Sequence, residues 1–227
     1  MRLLKYILLF FGVLLLYSCV KKEKTKVPEN KIEIYLTNKL VLKKNCVLLN
    51  EYKPYIDSLK IVHSDIYIKN NFKRVLHFYQ IDTISKIKSF KGKFSPKTID
   101  LEEKPIIYNN EIKSFDLTKS IIEIDSISAL KMGKILNSMN LSYGQQYVIL
   151  YNKDIVFTGY FVSAFSSTII NWHTSDVLHY DILKKHIKNN SKIYIHKCYC
   201  SNDVNIPEIS THKEFISAFR ETNRLIE

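Results

Sequence analysis

Gln145-Gln146-Tyr147-Val148-Ile149-Leu150-Tyr151-Asn152-Lys153-Asp154-Ile155-Val156-Phe157-Thr158-Gly159-Tyr160-Phe161 sets two runs of β-branched and aromatic residues on either side of a short polar break. Strand-forming runs joined by so few polar residues read as a β-hairpin. Odd and even positions are apolar alike, so both faces of this hairpin need cover, from helices or from a second sheet. It is therefore the expected centre of the fold, and the flanking segments are expected to pack onto it.

Upstream, Lys31-Ile32-Glu33-Ile34-Tyr35-Leu36-Thr37 alternates as a first strand that joins the central sheet. Cys46 is placed in a connection. Between residues 50 and 98, Pro54 argues against a clean helix, residues 65–69 and 73–81 read as strands, and residues 82–90 read as a short helix. Gly92 and Pro96 mark a loop, and residues 46–104 read as an insertion or small lobe. Pro105-Ile106-Ile107-Tyr108 is a short extended piece and residues 120–124 a strand. Asp125 or Ser126 then caps a helix with Ala129, Met132, Leu136 and Met139 on its buried face, Lys131, Lys134 and Asn137 on the other, and Gly144 at its end.

Downstream, residues 165–172 read as a further strand. Thr174 or Ser175 is read as the cap of a helix using Leu178, Ile182, Leu183 and Ile187 and stopped by Asn189-Asn190. Residues 192–198 form the next strand and 203–207 a loop. Thr211-His212-Lys213-Glu214 has capping-box spacing before a terminal helix buried through Phe215, Ala218, Phe219 and Leu225, with no tail expected after it. The fold class expected is α+β, a mixed or antiparallel sheet with helices packed mainly on one face, in a single domain over residues 31–227.

One stretch carries a family likeness. An extended lead-in, the aliphatic strand Ile122-Glu123-Ile124 ending at Asp125, a helix with Ala129 early in it, Gly144 before the next strand, and then strand, tight turn and strand make up residues 105–172. This pattern resembles the head subdomain of the first periplasmic domain of SecDF-type translocation factors. Asn152-Lys153 stands where that family's turn usually has Asp-Gly, and Thr158-Gly159 where a proline often ends the second strand. With no transmembrane segments expected to follow, the resemblance implies kinship of fold and an envelope setting, not proton-driven translocation. It is similar in the same way to small envelope lipoproteins that carry such a head alone. No catalytic residue belongs to the pattern.

The first residues supply an address. Met1-Arg2-Leu3-Leu4-Lys5 is a basic start, and the apolar run over residues 6–17 is about half the roughly 20 residues that a spanning helix needs. Leu16-Tyr17-Ser18-Cys19 resembles the bacterial lipobox. That resemblance implies removal of residues 1–18 as a signal peptide and lipidation of Cys19, with thioether and amide-linked acyl chains that together anchor a protein stably in a bilayer. Residues 19–30, with Lys21, Lys22, Lys24, Lys26 and Pro28, read as a solvated tether. Val20, rather than an acid, points to the outer membrane and a periplasm-facing location.

At 227 residues, 46% hydrophobic and 25% charged, the chain is long enough for one sizeable core or two small ones. Its net charge of +12 admits acidic partners. The same excess follows from a Lys-, Ile-, Asn- and Tyr-rich composition with five glycines, as an A+T-rich coding sequence would give. Net charge speaks to non-specific association rather than to a site, and an export signal argues against nucleic acid.

Three constellations invite chemistry. His196, Cys198 and Cys200, spaced by two on a predicted strand, face one way and offer donors suited to copper or zinc, although three ligands on one extended strand do not close a tetrahedron. An oxidising compartment favours a disulfide from Cys46 to Cys198 or Cys200, worth roughly 5 kcal/mol by loop closure. Ser163, Ser166 and Ser167 near His173 and Asp176 sketch a hydrolase of envelope material, without the tight G-x-S-x-G turn that exposes such a nucleophile. The acids Glu33, Glu123, Asp125 and Asp154 are scattered, and His63, His77, His179, His186 and His212 stand singly. The function expected is therefore that of a membrane-anchored, non-enzymatic binding module for an envelope protein, a peptide or a glycan, with no cofactor. The hydrolase and the copper or zinc handler are the alternatives.

Overall fold

The computed structural model describes residues 30–62, 79–139, 141, 144–163, 170–177, 191–197 and 206–227. The class is α+β, as the sequence pattern predicts, with the pairing spread over three sheets. A five-stranded sheet has β1 (Ile32–Leu36), β7 (Gln145–Tyr151), β8 (Asp154–Ser163), β9 (His173–Val177) and β11 (His196–Lys197) side by side in that order. A four-stranded sheet has the order β10 (Lys192–Tyr194), β6 (Ile121–Ile124), β5 (Ile112–Asp116), β12 (Leu225–Ile226). The smallest sheet holds β2 (Cys46–Leu48), β3 (Tyr79–Asp82) and β4 (Lys88–Phe90). The α-helices among the described residues are α1 (Lys53–Val62), α2 (Ser126–Asn137) and α3 (Lys213–Glu221), with short 3-10 turns between elements.

The hairpin β7–β8 lies at the middle. Tyr151 pairs with Asp154, so the turn is only Asn152-Lys153, both at positive φ (50° and 77°), the backbone of a type I′ turn. β1 pairs antiparallel with β7, and β9 runs parallel to β8. Alternate residues of the hairpin enter two separate clusters, which is why neither face is polar. Tyr147, Ile149, Phe157 and Phe161 pack with Ile32 and Ile34 against Leu136 of α2, Phe215 and Phe219 of α3, and Phe115 and Ile122 of the four-stranded sheet. Val148, Leu150, Tyr160 and Val162 pack on the other side with Phe94, Leu101, Ile170 and Trp172. Phe215 spans the gap between sheets, its ring 4.8 Å from Phe115 and 4.9 Å from Phe157.

Several local expectations are corrected. Pro54 sits in the first turn of α1, where its missing N–H costs no hydrogen bond, so it starts a helix rather than preventing one. Cys46 lies in β2, not in a connection. Residues 82–90 form a turn and β4 instead of a helix, because Asp82 Oδ1 accepts from the N–H groups of Ile84 (2.8 Å) and Ser85 (3.0 Å) and reverses the chain. Asp125 caps α2 as expected, accepting from Ile127 and Ser128, each at 2.9 Å, but the helix stops at Asn137, well before Gly144. Gly144 instead turns the chain into β7 at φ +75°. Thr174 and Ser175 lie inside a strand, β9, which runs on to Val177, rather than at the start of a helix.

The expected strand over 192–198 is two strands in different sheets, β10 on β6 and β11 on β9. The capping box at 211–214 does not form: the Thr211 hydroxyl donates to the Glu208 carbonyl (2.7 Å) within a 3-10 turn, and His212 precedes α3 without a side-chain cap. Leu225 is in β12, a strand that follows the last helix and pairs in parallel with β5. The expected strand over 65–69 and Leu178, Ile182, Leu183 and Ile187 lie outside the described residues.

Candidate functional site

Two concavities bear on function. The larger, about 720 Å³, is a groove between α2 and the extended segment 101–108 that runs along β1. That segment is held by backbone hydrogen bonds from Glu102 N–H to the Leu36 carbonyl (2.9 Å) and from Ile106 N–H to the Ile34 carbonyl (2.8 Å). Leu36, Leu101, Pro105 and Ile106 form its floor, and Ile135 of α2 with Met139, two residues beyond the end of that helix, one wall. Around the mouth stand exposed Glu102, Glu103, Lys104 and Lys131, with Lys131 Nζ 5.1 Å from the centre of the Tyr108 ring. An apolar trough with two acids and two bases at its rim favours a ligand that is mainly apolar and carries charges of both signs.

The smaller cleft, about 310 Å³, is lined by Lys119, Ser120, His173, His196, Lys197 and Glu208 among others. At its base His173 Nε2 lies 3.0 Å from His212 Nε2. One nitrogen donates and the other accepts, so the two neutral rings hold complementary tautomers there. Phe157 and Trp172 flank the pair, with ring centres 5.1 and 4.9 Å from that of His173. Burial first, then His212 and Lys197, pushes the His173 pKa down to about 3. His212 is lowered too, by burial and by Lys93.

A base that weak takes no proton near neutral pH, and the same lysines oppose a metal cation. The pair's geometry is that of a structural clasp between β9 and the entry to α3. Among the described residues no group of three His, Cys, Asp or Glu side chains is placed to hold a metal ion.

The residues singled out from sequence are dispersed. His196, in β11, has Asp176 as its ionic neighbour at 3.9 Å. Cys19, Cys198, Cys200, Ser166 and Ser167 lie outside the described residues. Cys46 carries a free thiol whose pKa is raised by partial burial and by Asp82, against the opposing effect of Lys43. Ser163 is level with Val177 in the parallel pairing of β8 and β9, while Asp176 is level with Val162. Buried His173 turns to His212 and half-exposed Asp176 to His196, so among the described residues Ser163, His173 and Asp176 do not assemble a nucleophile, a base and its acid.

Sequence reading missed both concavities. Ile135 was the available sign, an apolar residue that widens the stripe of α2 beyond what Ala129, Met132 and Leu136 need for the core. No family model, curated protein or solved structure matches the chain.

Proposed function

We propose that the chain is a lipid-anchored protein of the bacterial envelope, held through Cys19 in the outer membrane and facing the periplasm, whose folded part is a binding module. Its ligand is an extended segment of a partner envelope protein, apolar at its centre and carrying both charges at its ends. The observation that supports this reading is the groove at α2, of about 720 Å³ with an apolar floor and a rim of two acids and two bases. That volume falls within the roughly 300–1,000 Å³ of sites that bury most of a small ligand or a short peptide stretch. The tether of residues 19–30 lets the module stand up to about 40 Å from its anchor, which keeps membrane-proximal partners within reach.

A photo-crosslinking residue in place of Met139, in cells, tests the proposal, with the exposed Lys113 of β5 as the control position. Discrete adducts from position 139, absent from position 113 and lost in a Cys19→Ala variant, are expected. No adducts from 139, or the same set from both positions, would contradict it.

A further inference from the structure

At the far end of the smallest sheet, two turns are fastened together. Thr83 donates to the Asn45 carbonyl through both its N–H and its hydroxyl, each at 2.9 Å, which binds the β3–β4 turn to the turn that precedes β2. Asp82 closes the first turn through Ile84 and Ser85, and Cys46 N–H closes the second on the Lys43 carbonyl (3.0 Å). The result is a rigid tip. From it Ile84 and Ile87 project with 73% and 66% of their surface exposed. Burying such side chains is what folding ordinarily does with them, and this turn holds them outward.

Around the two isoleucines stand Lys43, Lys44, Lys86 and Lys88, all exposed. The acid at the tip, Asp82, is engaged by its own turn. Tyrosines stand beside the lysines: Lys86 Nζ donates to the Tyr52 hydroxyl (3.1 Å) and to the Thr83 carbonyl (2.5 Å), which seats its charge on the tip, and Lys88 Nζ is 5.2 Å from the centre of the Tyr79 ring and 5.9 Å from that of Tyr55. An apolar tip ringed by cations, with tyrosine rings at the level of those cations, matches the chemistry of the boundary between the acyl region of a bilayer and its headgroups. Lysine stems lie along apolar surface while their ammonium groups reach for phosphate.

We propose that this tip docks on an anionic bilayer surface, with Ile84 and Ile87 entering the boundary between headgroups and acyl chains, Lys43, Lys44 and Lys88 contacting lipid phosphates, and the seated charge of Lys86 adding to the attraction. The inference rests on the lipid-anchor reading only for the nearness of a membrane. A protein partner would meet the same isoleucines without regard to lipid charge, and the ring of cations favours the lipid surface. Each lysine near such a surface is worth roughly a fivefold gain in affinity.

The full chain, purified with its native modification, is mixed with phosphatidylcholine vesicles with and without phosphatidylglycerol, in both cases with brominated acyl chains. Ile84→Trp and Ile87→Trp are compared with the parent, whose one tryptophan, Trp172, is buried and serves as the internal reference. The expected result is a blue shift and bromine quenching of the new tryptophan in phosphatidylglycerol vesicles, both lost with Lys43→Gln, Lys44→Gln and Lys86→Gln combined. Flotation with vesicles but no quenching at position 84 or 87, or quenching that ignores lipid charge, overturns the tip proposal and leaves the anchor standing. Quenching in a chain found to carry no fatty acid supports the tip and removes the anchor.

Discussion

Gly159 faces Tyr147 across the hairpin, and the Tyr147 ring lies flat over the space where a side chain would start. A Cβ built at Gly159 comes within 2.5 Å of Tyr147 Cζ and 2.7 Å of its Cε1. The ring has no room to withdraw, because it stacks on Phe161 at 4.4 Å and its hydroxyl bonds buried Ser175 at 3.0 Å. Gly159→Ala is therefore expected to destabilise the protein by about 1–3 kcal/mol, the usual cost of overpacking. Urea unfolding measures this. In a Tyr147→Leu background, where the ring is gone, the same substitution should cost markedly less, whereas Tyr147→Phe should bring no relief because the clashing carbons remain.

Among the elements, the hairpin was legible because its signal is local: two apolar runs and a two-residue turn specify their own pairing. Helix α3 was legible for the same reason, through Phe215, Ala218 and Phe219 at helical spacing. β9 was not. His173-Thr174-Ser175-Asp176-Val177 holds residues that cap helices as readily as they fill strands, and its parallel partner, β8, settles the matter through a contact that local sequence does not encode. The groove escaped for a related reason, since its walls come from residues 36–38, 101–108 and 131–139 and meet only after folding.

Helix α2, one wall of that groove, depends on a cap that was legible, Asp125 with its two backbone donors. Asp125→Ala should cost about 1 kcal/mol in urea unfolding, and Asp125→Asn, which keeps an accepting oxygen, much less. Loss of the cap with unchanged stability would mean that tertiary packing alone holds the first turn.

For the whole molecule, the buried histidine clasp ties stability to pH. His173 has its pKa lowered from 6.5 to about 3, so between those values the unfolded chain binds a proton there that the folded chain refuses. Stability is thus fully present above pH 6.5 and is lost as pH falls toward about 3, by at most about 1.4 kcal/mol per pH unit for this group. His212 acts in the same direction. Between roughly pH 7 and 5.5, where carboxylates stay ionised, urea midpoints should fall, and His173→Gln should make the slope shallower. A slope unchanged by that substitution would place the titration elsewhere.

The proposed work of the folded part, as a binding module, is done beside a membrane to which a lipidated Cys19 is proposed to hold it. Intact-mass analysis of the protein extracted from its own envelope addresses this directly. The expected species begins at Cys19 and carries the mass of thioether-linked and amide-linked acyl chains. A species that retains residues 1–18, or one that begins at residue 19 without fatty acid, would contradict the anchored binding module and the envelope partners inferred from it.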